Sequence, residues 1–321
     1  MEEKMAKSTK NSDIVDVLMI GAGPSALSAA IYTTREELST VMYEKGVIGG
    51  LAAITDQVDN YPGFKDGVTG LELAEQMRQQ AERFGTKIEL GEVTDLKKMD
   101  DGHISVTTTE GDKEAKSVLI ATGSDYKRLG IPGEEEFYGR GVHFCATCDG
   151  AFYKDKKLVV VGGGNSAAQE ALFLTRFASH IDILIRGEEW KASEILIDEI
   201  EKNDKIKVHF NTTTDEIVGE DNKVTKVVGT DKKTGKKDFP TDGAFVFIGL
   251  LPNTKFLKDT DVELDEWGFV KTNADLMTSI EGVFCSGDVR SGATMQIASA
   301  TGEGATAALK IREYLEDRER A

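Results

Sequence analysis

The patterned part of the chain opens with an almost wholly apolar run, Ile14–Ile20, that passes directly into Gly21-Ala22-Gly23-Pro24-Ser25-Ala26. A helix-compatible stretch continues to about Arg35 and Ser39–Glu44 reads as a second strand, so the segment predicts a β-turn-α-β unit. Residues 68–84 place apolar side chains at helical spacing, and residues 103–109 and 113–121 read as strands of a meander. The pattern then recurs. Lys157–Val161 enters Gly162-Gly163-Gly164-Asn165-Ser166-Ala167, a helix-like segment extends to about Phe177, and Ile181–Ile185 is the next strand. Two copies of one unit indicate duplication at the scale of a domain rather than a short solenoid repeat. Beyond the second copy, Gly249-Leu250-Leu251-Pro252-Asn253 breaks the chain and Val283–Cys285 leads into the turn Ser286-Gly287-Asp288. A long helix is predicted from about Met295 to Tyr314.

The fold class is therefore α/β, with two Rossmann-like dinucleotide-binding domains, each a layered sheet with helices. A length of 321 residues suits two domains. A formal charge of −17 argues against nucleic acid or an anionic membrane as the main partner, though not against small anionic cofactors held by backbone N–H groups. No apolar run approaches the roughly 20 residues needed to span a bilayer. The polar start of the chain shows no apolar signal core, and residues 1–12 read as a disordered tail. Three cysteines, Cys145, Cys148 and Cys285, are too few for a disulfide framework, which fits a cytoplasmic protein with one special pair.

The G-x-G-x-x-A spacing carries a mechanism. Gly21 and Gly23, with Pro24, Ser25 and Ala26, and again Gly162 and Gly164, with Asn165, Ser166 and Ala167, permit a tight turn that brings a diphosphate onto a helix N-terminus. Glu44 closes the second strand of the first copy, where a carboxylate accepts hydrogen bonds from an adenosine ribose. The second copy instead offers Arg186 and Lys191, cations suited to a ribose 2′-phosphate, with Glu188 and Glu189 pulling the other way. NADPH and NADH both stay open. Cys145-Ala146-Thr147-Cys148 spaces two sulfurs for a redox-active disulfide. Zinc would need four ligands, and His143 with the cysteine pair leaves that set incomplete, so no metal is expected. Asp149 stands where a carboxyl could manage thiol protons. Cys285, in an apolar strand, is expected to behave as a small hydrophobe.

The string Cys145-Ala146-Thr147-Cys148-Asp149-Gly150, set between two glycine units, resembles the low-molecular-weight thioredoxin reductases. So do Gly49-Gly50 followed by Asn60-Tyr61-Pro62-Gly63-Phe64, Ala121-Thr122-Gly123, and Gly287-Asp288-Val289-Arg290 followed by Gln296-Ile297, a likeness running from about Asp13 to Leu315. The resemblance implies an FAD-binding domain built from residues 13–124 and 252–321, with an NAD(P)H-binding domain, residues 125–251, inserted and carrying the cysteines. It implies a homodimer that passes electrons from a nicotinamide nucleotide through FAD to the disulfide and on to a thioredoxin or thioredoxin-like protein. By the same resemblance Cys148 faces the flavin, Cys145 attacks the thioredoxin disulfide and Asp149 is the acid–base group. It also implies rotation of the inserted domain, with hinges near Gly123–Gly133 and Gly249–Pro252. Two departures stand out. Leu51 replaces a glutamine common in the family, and the family's H-R-R-x-x-x-R reads here Ile185-Arg186-Gly187-Glu188-Glu189-Trp190-Lys191. The donor could therefore be NADPH, NADH or another reduced carrier. A passive FAD-binding redox sensor is the rival from another class, and a ferredoxin–NADP reductase relative would lack the cysteine pair.

Overall fold

The structure is a computed structural model that describes residues 14–55 and 57–320. The predicted tail, residues 1–12, lies outside the described residues. The chain divides into two compact units, one of Met1–Asp125 with Leu251–Ala321 and one of Tyr126–Leu250.

The first unit begins β1 (Ile14–Ile20), α1 (Pro24–Arg35), β2 (Thr40–Glu44), α2 (Gly50–Ala53), α3 (Gly70–Arg83), β3 (Lys87–Leu90), β4 (Val93–Lys98), β5 (Ile104–Thr108) and β6 (Gly111–Ile120), and the chain leaves it through β7 (Ser124–Tyr126). The strands order as β3-β2-β1-β6-β5-β4. β1 is parallel to both β2 and β6, whereas β4, β5 and β6 form the antiparallel meander. Successive residues of β1 point to opposite faces, and both faces are covered: Val17 and Met19 join one core cluster, Leu18 and Ile20 the other. That is why the strand reads as an apolar run. At α3 the Thr69 hydroxyl accepts the Glu72 N–H and starts the helix.

The second unit contains β8 (Val142–His143), α4 (Ala146–Asp149), a 3₁₀ turn over Gly150–Tyr153, β9 (Lys157–Val161), α5 (Asn165–Leu174), β10 (His180–Leu184), α6 (Glu194–Glu201) and β11 (Ile206–His209). Then come β12 (Thr212–Glu220), β13 (Lys223–Asp231), β14 (Gly235–Pro240) and β15 (Gly243–Val246). Its main sheet is parallel, in the order β11-β10-β9-β15-β8. The antiparallel sheet β12-β13-β14 has no counterpart in the sequence reading. Its strands interleave Thr, Lys and Asp with a few buried Val, Ile or Phe side chains, so the apolar signal is dilute.

The chain returns through β16 (Leu250–Pro252), and β17 (Val283–Cys285) pairs parallel with the end of β6, completing the first sheet. α7 (Ile297–Arg320) then lies against α1. Gly304 permits that approach, since a Cβ there would stand 2.0 Å from the Ser25 carbonyl oxygen. The helix runs past the expected end at Tyr314 because Glu316 bridges Arg312 and Arg320 at helical spacing, and Arg318 reaches back to the Gly102 carbonyl. Among the described residues no helix is long and apolar enough to cross a membrane.

Candidate active site

In the first unit β1 ends at Gly21, whose φ of 98° suits glycine and whose missing side chain leaves room for the Ala121 carbonyl, 2.6 Å from where a Cβ would sit. Gly23 caps α1 and Pro24 opens it, a position where the missing N–H and fixed φ cost nothing. The first turn of the helix then offers backbone N–H groups to an anion. Glu44 holds this loop from the side: its carboxylate accepts the Ala22 N–H and the Gly46 N–H, each at 2.7 Å. Gly49 donates to the Ala22 carbonyl at 2.8 Å, so Gly49 and Gly50 join the same cluster.

The returning segment meets this loop. The Ser25 and Ser286 hydroxyls pair at 2.6 Å in a buried contact. Gly287, with φ 75°, has its Cα so near Ser25 that a Cβ would lie 2.9 Å from the serine Cβ. Its N–H donates to Glu303, which also takes a fork from Arg290 at 3.0 and 2.6 Å. Asp288 is half-buried and has no hydrogen-bond partner among the described residues. Burial, with the charge of Glu303, pushes its carboxyl up to about 6. Asn60 donates to Gln296 at 3.0 Å, next to Ile297 at the start of α7. The Thr122 hydroxyl donates to the Asn253 carbonyl, and the Asn253 amide returns a bond to the Thr122 carbonyl, pinning Ala121-Thr122-Gly123. A crowded glycine loop at a helix N-terminus, with a half-buried carboxyl nearby that has no hydrogen-bond partner among the described residues, fits a dinucleotide whose hydroxyl and phosphate groups would satisfy both.

In the second unit Gly162 takes φ 147° and a Cβ there would stand 2.3 Å from the Phe247 carbonyl oxygen, while Gly164 caps α5. The segment after β10 folds back onto this loop. Lys191 N–H donates to the Gly163 carbonyl at 2.7 Å, and Asn165 Oδ1 accepts the Ser193 N–H at 2.8 Å. Lys191 is thereby fixed beside the glycine turn. Arg186, Glu188, Glu189 and Lys191 are all exposed. Neither cation forms an ion pair among the described residues, so both remain available to an anion.

The redox turn precedes β9. Cys145 caps α4, its sulfur accepting the Cys148 N–H at 3.2 Å, and the two sulfurs are joined as a disulfide. Gly150 follows because a side chain there would press on Leu174, 2.9 Å away, where the turn packs on α5. Asp149 Oδ2 lies 3.3 Å from His143 Nδ1, and His143 Nε2 lies 2.7 Å from the Tyr153 hydroxyl. Among the described residues no group of three or more His, Cys, Asp or Glu side chains is arranged to hold a metal ion. Cys285 is fully buried in the apolar core and its thiol is pushed up by burial. Sequence reasoning did not single out Ser286, Glu303, Asn253 or Tyr153, and treated His143 only as a spare ligand. The Asn253 and Glu303 contacts join distant segments and leave no local trace.

The chain matches the family model described as pyridine nucleotide-disulphide oxidoreductase over residues 15–304. It is 44% identical over 307 residues to the thioredoxin reductase of Bacillus subtilis, covering 95% of this chain and 96% of that protein. It is 41% identical over 302 residues to the thioredoxin reductase of Treponema pallidum, covering 94% of this chain and 97% of that one. The crystal structure of thioredoxin reductase from Streptococcus pyogenes superposes with a TM-score of 0.90 at 39% identity, covering 96% of this chain and all of that one, 100%. The chain belongs to the pyridine nucleotide-disulphide oxidoreductase family and, within it, to the thioredoxin reductases. It is an oxidoreductase that uses a flavin and a nicotinamide nucleotide.

Proposed function

We propose that this enzyme takes electrons from NADPH, with NADH as a usable second donor, through FAD and the Cys145–Cys148 disulfide, and delivers them to a thioredoxin or thioredoxin-like protein. The observation that carries the reading is the Cys145–Cys148 disulfide at the start of α4, with Asp149 beside it, directly before the second glycine loop. The loop Gly21–Ala26, Glu44, Gly49, Gly50, Asn60, Ala121–Gly123, Gly287, Asp288, Gln296 and Ile297 would hold FAD, which when bound would supply two-electron reducing power to that disulfide. The loop Gly162–Ala167 with Arg186 and Lys191 binds the nucleotide. In the reduced enzyme the Cys145 thiol gives its proton to Asp149, and the resulting thiolate attacks a sulfur of the thioredoxin disulfide; a bond forms to Cys145 as the thioredoxin disulfide breaks. Asp149 passes the same proton to the departing thioredoxin thiolate. Cys148 then attacks Cys145, restores the disulfide and frees the second thioredoxin sulfur, again with a proton passing through Asp149. Likeness to the low-molecular-weight thioredoxin reductases supports a cytoplasmic homodimer.

The test is steady-state thioredoxin reduction with either nucleotide by the wild type, Cys145→Ser and Cys148→Ser. Wild type is expected to turn over, and both variants to lose turnover while the flavin of Cys148→Ser still bleaches with NADPH. Near-normal thioredoxin reduction by either variant would refute the relay. A colourless folded protein that cannot be reconstituted with FAD would refute the cofactor assignment.

A further inference from the structure

Asp149 has one side-chain neighbour of complementary chemistry among the described residues, the imidazole of His143, with Nδ1 at 3.3 Å from Oδ2. His143 is 7% exposed and sits in β8, paired in register with Phe245 of β15. Its ring is clamped. The Phe245 ring lies with its centroid 5.1 Å away and the Tyr153 ring meets it edge-on at 5.3 Å. Tyr153 is in turn held across Gly243, where a Cβ would come within 2.5 Å of its ring. The far nitrogen of His143 is used by the Tyr153 hydroxyl at 2.7 Å.

Donor and acceptor roles follow from this arrangement. Burial, with the negative charges of Asp149 and Asp242, pushes the Tyr153 phenol up, so it stays protonated and donates. His143 Nε2 must then accept, which leaves the ring proton on Nδ1, the nitrogen facing Asp149. The chain Tyr153–His143–Asp149 runs in one direction, ending on the carboxyl of the residue that directly follows Cys148.

We propose that His143, oriented by Tyr153, is a positioning residue that holds Asp149 so that one carboxylate oxygen takes the Nδ1–H and the other is presented to the cysteine sulfurs. The idea rests on the proton-carrying role given to Asp149 above. His143 itself touches no sulfur and gives up no proton in the cycle. Without it, the carboxyl swings freely on its Cα–Cβ bond and the proton transfers that accompany each exchange step slow.

The test uses the full chain with its flavin. Cys145–Cys148 is reduced with dithiothreitol, the reagent is removed, and single-turnover reduction of oxidised thioredoxin is followed by acid quench; nucleotide-driven bleaching of the flavin is followed separately. His143→Phe is expected to slow exchange about tenfold, less than the roughly hundredfold or more of losing an acid–base group outright, and to leave bleaching unchanged. His143→Asn, whose amide can still donate, should recover most of the rate. Tyr153→Phe, which keeps the ring and packing, should slow exchange about fivefold, the worth of one neutral hydrogen bond, and decides the matter should His143→Phe not fold. His143→Phe added to Asp149→Asn should cost nothing further. Normal exchange in His143→Phe or Tyr153→Phe, equal loss in exchange and bleaching, or losses that multiply in the double variant would each overturn the proposal. Normal exchange in Asp149→Asn would instead sink the underlying role of Asp149.

Discussion

Asp288→Asn separates what the proposed flavin site would need from what the folded chain prefers. In the turn after β17 the Asp288 carboxyl has no donor to satisfy it, and burial with the nearby Glu303 charge raises it from the usual 3.8 to about 6. A folded-state value above the unfolded one means that, between those two pH values, the folded chain binds more protons than the unfolded chain. Stability contributed by this group is full below about pH 4 and is lost as pH rises towards 6 and beyond. A shift of about two units corresponds to about 3 kcal/mol at neutral pH, and solvent reaching a side chain that is not fully buried reduces this to about 1–3 kcal/mol. Asparagine keeps the shape and cannot ionise. Flavin-free Asp288→Asn is therefore expected to be more stable than wild type by about 1–3 kcal/mol at about pH 7.5 and to show little gain at about pH 4. Urea unfolding of the two flavin-free proteins at both pH values measures this. In the same variant FAD should bind more weakly, because the cofactor loses the charged acceptor whose burial is otherwise uncompensated. An equal gain at both pH values, or a loss at neutral pH, would refute the assignment of the shift to this carboxyl.

Two further outcomes follow from the geometry. At Gly187 a Cβ would find only ordinary contacts, the nearest at 3.5 Å from Glu189, so Gly187→Arg should fold normally and add a second guanidinium beside Arg186. It should raise the ratio of kcat/KM for NADPH over NADH by roughly ten- to a hundredfold, the worth of one charge-assisted hydrogen bond, and Arg186→Ala should lower that ratio; a wild type already discriminating very strongly would refute the reading of a thinned phosphate site. Gly304→Ala would drive a methyl into the Ser25 carbonyl and so must part α7 from α1; a loss of about 1–3 kcal/mol in unfolding free energy and weaker flavin retention are expected, and an unchanged urea midpoint would show that the close approach is not required.

How far the sequence could be read depended on whether the physics was local. β1 and β9 are central parallel strands with both faces buried, and an apolar run ending in a glycine turn is a local pattern that needs no partner to be recognised. The cysteine pair was legible for the same reason, since a disulfide across three residues is a property of one turn. β12, β13 and β14 were not, because a sheet half open to water admits lysine and threonine freely. Nor could the sequence show that Glu44 braces the Ala22 loop, or that Ser25 is met by Ser286, since those contacts exist only once strands far apart in the chain have paired.

The two glycine loops share a backbone plan and differ in how their charges are held, and this bears on which feature can drift. Around the first loop the polar groups are interlocked: Glu303 serves Gly287 and Arg290 together, and Glu44 serves two backbone N–H groups. Removing one partner there leaves a part-buried group unsatisfied, so substitution carries a cost whatever the ligand. Around the second loop the segment is fixed through backbone groups, Lys191 N–H to Gly163, Asn211 N–H to the Gly187 carbonyl and Ser193 N–H to Asn165, while the Arg186 and Lys191 side chains are exposed and Gly187 has room for a side chain. A charge can be gained or lost at 186–191 without disturbing a folded contact. On the reading proposed above, nucleotide preference rests on side chains that the fold does not need, so the basic cluster is free to vary while the glycine turn beneath it is held by packing.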